Sequence, residues 1–281
     1  MKSVVITGVS TGIGWGTAKV LLGRGFRVFG SVRKQVDAER LQKEFGANFT
    51  PLLFDVADEV AVREAAREVR TALNGETLSG LVNNAGIAVS GPALELPVAE
   101  YRHQMEVNVI GPIIATQAFA PLLGADRSLK GAPGRIVMMS SVSGQNGNPM
   151  LSPYCTSKFA LEGFSESIRR EFMLYGIDVI VIGPGAVKTP IWSKAEDVDI
   201  SVYKSSPLFP ALEKMREYIL KFGEGGLPVE TIGELVHTVL TSARPRVRYA
   251  VSTEPVQLLV GKLLPKRLVD RIIAKRLGLV S

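Results

Sequence analysis

The chain has 281 residues, of which 46% are hydrophobic and 21% charged, and its formal net charge is +6. This composition predicts one large, folded, soluble domain. The single cysteine, Cys155, excludes an internal disulfide and favours a reducing compartment, while two histidines far apart in sequence, His103 and His237, predict no metal site. Because the sequence opens on a strand and no uninterrupted apolar run has membrane-spanning length, we expect a cytoplasmic protein without a signal peptide or transmembrane helix.

Apolar runs alternate with amphipathic stretches along the chain. We predict strands near residues 2–7, 26–32, 50–54, 78–83, 134–140, 177–182 and 247–251. We predict helices near residues 12–24, 37–45, 58–73, 98–123, 153–175 and 228–242. The alternation predicts an α/β fold with a doubly wound parallel sheet of the Rossmann type. A dinucleotide-binding and catalytic domain is expected over residues 1–255, followed by a C-terminal extension over residues 256–281.

The first strand leads directly into a glycine-rich turn and then into a helical run. The turn extends from Gly8 through Gly12 to Gly14, and this order of strand, turn and helix is typical of a dinucleotide-binding unit. The glycines allow the backbone to approach a pyrophosphate, to which the helix N-terminus presents free N–H groups and a partial positive charge. A plain glycine-rich turn without a ligand is the alternative.

The end of the second strand bears on the choice of cofactor. Val32 occupies the position, about twenty residues after the turn, where NAD sites usually carry an acid for the ribose 2′-hydroxyl. Arg33 and Lys34 follow at once, and a guanidinium suits a 2′-phosphate. We therefore expect NADP(H) to be preferred, with NAD(H) possible. In the alternatives, the two cations only cap the strand, or Asp37 folds back to a ribose.

Polar residues follow two further strands. Asn83-Asn84-Ala85-Gly86 ends one apolar strand, and Ser140 and Ser141 end another. Ligands of open α/β sheets gather at the carboxyl ends of the strands, so we expect these groups to lie on one edge.

Tyr154 and Lys158 form the most informative pair in the chain. Their spacing places a phenol and an ammonium one helical turn apart on one face. A nearby cation favours the phenolate, so we expect the pKa of Tyr154 to be lowered and its hydroxyl to serve as a general acid or base. Taken alone the pair is weak evidence, since Tyr and Lys meet at this spacing by chance in many helices.

Together these motifs resemble those of the short-chain dehydrogenase/reductase family, and the chain looks closer to its steroid and retinol dehydrogenase branch than to its fatty-acid-synthesis reductases. The matching residues are Thr7-Gly8-x-x-x-Gly12-x-Gly14, Asp55, Asn83-Asn84-Ala85-Gly86, Asn108, Ser141, Tyr154-x-x-x-Lys158 and Pro184-Gly185-x-Val187-x-Thr189. They follow the family's order and spacing from Thr7 to Thr189.

The resemblance implies a role for four catalytic residues. Tyr154 would exchange a proton with the substrate oxygen, and Lys158 would lower the pKa of Tyr154 and hold the nicotinamide ribose. Ser141 would hydrogen-bond the substrate oxygen; it is preferred to Ser140 because it lies thirteen residues before Tyr154. Asn108 would anchor a water of the proton relay, unless its amide only satisfies local backbone.

The resemblance also implies a set of cofactor contacts. Asp55 would hydrogen-bond the adenine, although a helix-capping role is the alternative. The full set of expected cofactor-binding residues is Gly8, Ser10, Thr11, Gly12, Ile13, Gly14, Arg33, Asp55, Val56, Asn84, Ala85, Gly86, Tyr154, Lys158, Pro184, Gly185, Val187 and Thr189.

Residues 190–226 would form the substrate lid of such an enzyme. Their apolar members suggest a lipophilic alcohol or carbonyl such as a steroid, a retinoid or a fatty-chain compound. These members are Ile191, Trp192, Tyr203, Leu208, Phe209, Leu212, Met215, Tyr218, Ile219 and Phe222. We expect an NADP(H)-dependent oxidoreductase that interconverts alcohol and carbonyl. The alternatives are an NAD-dependent dehydrogenase of the same family and a non-catalytic, membrane-associated nucleotide-binding protein.

The positive charge is concentrated in residues 256–281, which hold six basic residues and one acid. A charge so localised gives no reason to expect nucleic acid binding. After Pro265, apolar residues recur at helical spacing with cations on the other face, which predicts a basic amphipathic helix. The helix can pack over the cleft, lie on an anionic membrane or contact a partner. The resemblance implies a homodimer or homotetramer formed through the helices near 98–123 and 153–175.

Overall fold

The computed structural model describes residues 1–192, 198–253 and 263–280. Its strands are β1 (Ser3–Ile6), β2 (Arg27–Val32), β3 (Phe49–Leu53), β4 (Gly80–Asn83), β5 (Arg135–Met139), β6 (Asp178–Pro184) and β7 (Arg248–Val251). All seven form one parallel sheet in the order β3-β2-β1-β4-β5-β6-β7. The strand order reverses between β1 and β4, and this is where open α/β sheets bind ligands.

Helices cover both faces of the sheet. They are α1 (Gly12–Gly23), α2 (Gln35–Phe45), α3 (Glu59–Leu73), α4 (Val98–Met105), α5 (Gly111–Phe119), α6 (Ser152–Glu171), α7 (Phe209–Glu224), α8 (Val229–Thr241) and α9 (Lys266–Leu277). Apolar residues of α3, α5 and α6 pack on one face, and those of α1, α2 and α8 pack on the other. Alternate residues of β1 serve the two layers, because successive side chains of a strand point to opposite faces. The predicted doubly wound sheet is confirmed.

The helix predicted over residues 98–123 differs in one respect. A π-helical turn, Glu106–Ile110, separates α4 from α5, and a 3-10 turn follows over Ala120–Leu123. The whole segment is long and apolar enough to cross a membrane by length and composition, although polar residues interrupt its apolar run. However, 67% of its most apolar window is buried inside the fold, as in the core helix of a soluble protein.

The C-terminal helix packs on the lid. Leu277 of α9 is buried in a small apolar cluster with Leu212 and Met215 of α7, and Ile273 packs against the same cluster. The predicted domain boundary at residues 255 and 256 lies outside the described residues. The same is true of residues 193–197 of the lid and of the part of the basic extension up to Lys262.

Candidate active site

A cleft of about 1280 Å³ lies along the carboxyl ends of the strands. Its walls come from the glycine-rich turn and from the segments that follow β2, β4, β5 and β6. The lid helix α7 and the C-terminal helix α9 close the other side. All the predicted cofactor-binding residues except Gly14 and Lys158 line this cleft. The parallel topology therefore collects on one edge the residues that the sequence places far apart.

The glycine-rich turn is packed too tightly for side chains. A Cβ on Gly14 would lie 2.1 Å from the carbonyl oxygen of Gly8, whose own φ of +70° suits glycine. The Asn84 amide donates to the carbonyls of Thr7 and Gly8 at 2.9 and 3.0 Å. These bonds fasten the turn to the segment after β4.

The residues at this turn fit a dinucleotide. Thr11, the N-cap residue of α1, makes no capping hydrogen bond through its side chain, so this group does not occupy the N–H groups of the first turn. Ser10, Thr11, Gly12 and Ile13 all face the cleft. At a helix N-terminus the first N–H groups have no intrahelical partner and can bind an anion. The glycines of the turn let a pyrophosphate come close to these groups.

Cations and acids alternate at the end of the cleft that follows β2 and β3. The Arg33 guanidinium lies at the rim, 65% exposed, with its Nη1 3.6 Å from Asp55 Oδ2. Lys34 and Asp37 also line this end. Arg40, which the sequence analysis did not single out, donates to the Ser10 carbonyl at 2.8 Å and to Asp37 at 3.0 Å. Asp37 is therefore already paired. The i,i+3 spacing of Asp37 and Arg40 on a predicted helix is the feature of the sequence that could have indicated this pair.

Asn108 lies in the π-helical turn and is fully buried. Its Oδ1 accepts from the Ile87 N–H at 2.9 Å, and its Nδ2 donates to the Ile87 carbonyl at 3.0 Å and to Ser157 Oγ at 3.1 Å. The amide thus ties the segment after β4 to α6 instead of satisfying its own helix. The widened turn accompanies this long-range contact, and π-helical turns often mark functional sites.

Ser141 and Tyr154 meet in the middle of the cleft. The Ser141 side chain accepts from the Ser143 N–H at 3.1 Å and donates to the Pro184 carbonyl at 3.5 Å, and it lies close enough to the Tyr154 hydroxyl to lower the pKa of that phenol. The Ser140 hydroxyl instead donates to Glu162 Oε1 at 2.7 Å. Ser141 is therefore the serine beside Tyr154, while the Ser140 hydroxyl is engaged by Glu162.

The expected lowering of the pKa of Tyr154 was wrong. Desolvation by the surrounding protein raises the pKa of this phenol, and the hydrogen bond with Ser141 opposes the rise. The Lys158 ammonium does not contact the phenol oxygen; it donates to the Met139 carbonyl at 2.8 Å and lies 5.7 Å from the centre of the Tyr154 ring. The phenol is therefore fully protonated at neutral pH.

Lys158 itself is buried against β5. Desolvation lowers its pKa to about 8, and the negative charge of Glu162 opposes that shift. The side chain consequently remains mostly cationic at pH 7. Tyr154, Lys158 and Glu162 follow one another at successive turns of α6, so they share one helix face.

The segment after β6 joins the nucleotide end of the cleft to the lid. Pro184, Gly185, Val187 and Thr189 all line the cleft, and the Thr189 side chain lies against Gly12 of the glycine-rich turn. Trp192 then donates from Nε1 to the Val187 carbonyl at 2.6 Å. The chain therefore passes directly from the glycine-rich turn to the apolar lid.

The sequence analysis also missed Glu162 and Arg248. The two form an ion pair behind Ser140 and Ser141, with Arg248 Nη2 3.0 Å from Glu162 Oε1. Glu162 was recognisable as the residue one turn after Lys158. Arg248 carried no such signal, because only the docking of β7 beside β6 brings it to the site.

The sequence profile of the short chain dehydrogenase family matches residues 2–199. An "NADPH-dependent 3-dehydrocapnine reductase" from Ornithobacterium rhinotracheale is 38% identical over 99% of this chain and 98% of that protein. "Retinol dehydrogenase 5" from Homo sapiens is 32% identical over 96% of this chain and 87% of that protein.

The crystal structure of a short-chain dehydrogenase from Streptomyces avermitilis has the same fold. It superposes with a TM-score of 0.77 over 98% of this chain and 94% of the other, at 24% identity. The family match, the relatives and the cleft with its glycine-rich turn agree with one another. This chain belongs to the short-chain dehydrogenase/reductase family and is an oxidoreductase that uses a nicotinamide nucleotide.

Proposed function

We propose that this protein is an NADP(H)-dependent reductase of a lipophilic carbonyl, and equally a dehydrogenase of the corresponding primary or secondary alcohol. The observation that carries the proposal is the position of Tyr154 beside Ser141 in one cleft, which has a glycine-rich turn at one end and apolar walls at the other. When bound, the nicotinamide would supply or accept the hydride.

The four predicted catalytic residues divide the remaining work. Ser141 donates a hydrogen bond to the substrate oxygen and orients it beside the Tyr154 hydroxyl. Tyr154 gives its proton to that oxygen during reduction and takes it back during oxidation, and its raised pKa favours the protonated form that reduction requires. Lys158 stabilises the developing phenolate and holds the nicotinamide ribose. Asn108 positions the segment after β4 and anchors a water that reprotonates Lys158.

The walls of the cleft support a lipophilic substrate. Apolar side chains come from the segment after β5, from the lid and from α9, and they line the same cleft as Tyr154. They are Val142, Leu151, Ile191, Trp192, Met215, Ile219, Phe222, Val269 and Ile273. Burying the hydrocarbon part of a substrate against such walls is favourable by about 25 cal/mol per Å² of apolar surface removed from water. A fatty-chain, retinoid or steroid carbonyl is the class that fits.

A screen of carbonyls with both cofactors tests this function. We expect NADPH oxidation with long-chain and cyclic lipophilic ketones, with kcat/KM at least about tenfold above that for a short-chain homologue, since each buried methylene contributes about 0.8 kcal/mol. A protein that binds NADPH yet turns over no ketone or alcohol would be the non-catalytic alternative. Turnover with NADH alone would identify the NAD-dependent alternative.

We further propose that α9 brings the enzyme to an anionic membrane surface. One side of this helix packs on α7 through Ile273 and Leu277. Leu268 and Ile272, four residues apart, face solvent at 43% and 52% exposure, and Leu279 follows just after the helix. Exposed cations of the same helix flank them. An apolar stripe between cations is the pattern of an interfacial helix, and cations near an anionic bilayer contribute about 1 kcal/mol each.

Flotation with lipid vesicles tests the membrane proposal on the full chain. The wild type is expected to float with phosphatidylglycerol–phosphatidylcholine vesicles and to be released by salt. Leu268→Glu/Leu279→Glu should lower the bound fraction about tenfold or more, because each leucine contributes at least about 1.5 kcal/mol on burial. Val60→Glu, which alters an exposed valine of α3, is the matched control. Equal flotation of all three proteins would contradict the proposal.

We propose, as the family resemblance implies, that the protein assembles as a homodimer or homotetramer through the outer faces of α5 and α6. Apolar residues exposed near these helices include Ile110 and Met173.

A further inference from the structure

An ion pair lies directly behind the catalytic serine. Both side chains are largely buried, with 17% of Glu162 and 19% of Arg248 exposed. Glu162 accepts from Ser140 Oγ at 2.7 Å and from Arg248 Nε at 3.0 Å. Arg248 Nη2 also donates to the Ser141 carbonyl at 3.4 Å. The pair thus connects α6, the end of β5 and the edge strand β7 at the point where Ser141 emerges.

The surrounding backbone is shaped to admit this pair. A Cβ on Gly183 would lie 2.6 Å from Arg248 Nη2, and a Cβ on Gly144 would lie 2.6 Å from Ser140 Oγ and 3.0 Å from the Glu162 side chain. Buried ion pairs seldom add stability over apolar residues of similar size, since desolvation offsets their attraction. The ion pair requires glycine at two neighbouring positions and is not expected to add much stability. Its presence is therefore better explained by a role in positioning nearby groups.

We propose that Glu162 and Arg248 are positioning residues for the reaction. They hold the segment Ser140–Ser141 in place and keep a negative charge one helical turn from Lys158. This inference rests on the proposed function in so far as Ser141, Tyr154 and Lys158 carry out the chemistry. Neither Glu162 nor Arg248 touches the substrate; each acts through its neighbours.

Among the groups named below that face Lys158, Glu162 is the one that carries a negative charge. Tyr154 and Glu162 share its helix, β5 presents the Met139 carbonyl, and the segment after β4 presents Gly86. Arg248 of β7 lies behind Glu162. Glu162 counteracts the desolvation of Lys158, as its charge favours the ammonium form. Without that charge, more of Lys158 would be neutral at the pH where the enzyme must bind a ribose and stabilise a phenolate.

An NMR titration of lysines labelled at Cε measures this effect without any turnover. The Lys158 signal, assigned by its loss in Lys158→Met, should titrate near its pKa of about 8 in the wild type. In Glu162→Gln the pKa should fall by about one unit or more, because the amide keeps the shape of the side chain but removes its charge. Glu166→Gln, which alters an exposed ion pair with Arg170 on the same helix, is the matched control and should leave the Lys158 pKa unchanged.

A second variant covers the case in which Glu162→Gln leaves Arg248 unpaired and does not fold. Glu162→Gln/Arg248→Gln buries no unpaired charge, so it should fold and show a fall in the Lys158 pKa in the same direction, smaller because a positive charge is removed together with the negative one. Its kcat for ketone reduction should drop about tenfold or more through misplacement of Ser141. An unchanged Lys158 titration in the folded variants would overturn the inference even if the wild type reduces ketones. A fall in that pKa together with a failed ketone screen would overturn the proposed substrate class and leave the action of Glu162 on Lys158 established.

Discussion

Tyr154→Phe is expected to lower kcat for ketone reduction by about 10³-fold or more while leaving the Kd for NADPH within about twofold, since the variant loses only the positioned proton donor. The ring remains to line the cleft, so the site keeps its shape. Ser141 keeps its bond from the Ser143 N–H, which holds the hydroxyl near its place. The loss should therefore fall on the chemical step and not on binding.

Single-turnover rates with pre-bound NADPH, together with a fluorescence titration of NADPH, separate the two quantities. Tyr101→Phe is the matched control. It removes a phenol that contacts Ser152 at 2.6 Å at the start of α6, outside the cleft. We expect the control to keep nearly full activity. If Tyr154→Phe kept more than about a tenth of the wild-type rate, Tyr154 could not be the general acid and base.

Most of the fold could be predicted because strand and helix periodicities are local signals. The seven strands occur within a few residues of their predicted positions, and the glycine-rich turn starts α1 as expected. The π-helical turn at Glu106–Ile110 could not be predicted. Residues 98–123 have the composition of one continuous helix, and the widened turn is associated with the contact between Asn108 and the distant Ile87.

The site was predictable where spacing along one element decides the geometry. Tyr154 and Lys158 share a helix face at a fixed separation, so the sequence alone indicates their proximity. The direction of the pKa shift of Tyr154 was predicted wrongly, because the spacing of two residues on a helix does not determine where a flexible lysine ammonium points. The Met139 carbonyl, on another element, takes the Lys158 ammonium, and burial then dominates the phenol.

Contacts that need several elements at once lay beyond the sequence. Arg248 reaches Glu162 only because β7 docks at the edge of the sheet, and Arg40 reaches the Ser10 carbonyl only because α2 folds back over the turn. In the same way, the apolar residues of α9 divide into a buried and an exposed set only once the helix packs on α7. Each of these cases depends on tertiary packing, which local patterns do not encode.

Arg33→Ala is expected to weaken NADPH binding by about 10- to 100-fold, because a hydrogen bond to a charged group contributes about 1.5–3 kcal/mol. The Kd for NADH should change by less than about threefold, since NADH has no 2′-phosphate for a guanidinium to contact. Arg33 is well placed for this role at the rim of the cleft beside Asp55. Titrations of both cofactors measure the difference, with Lys43→Ala on α2 as a control cation outside the cleft.

The alternative, in which Asp37 binds a ribose hydroxyl of NAD, predicts different effects of substitutions at Asp37 and Arg33. If Asp37 bound a ribose hydroxyl, Asp37→Asn would weaken NADH and Arg33→Ala would weaken both cofactors equally. The structure disfavours this assignment, because the Asp37 carboxylate is paired with Arg40, which also holds the Ser10 carbonyl of the turn. Turning Asp37 towards a ribose would break that pair at the pyrophosphate cradle. Arg33 is instead exposed, and the ion pair that it makes among the described residues is a 3.6 Å contact with Asp55, so it can move to a phosphate at small cost.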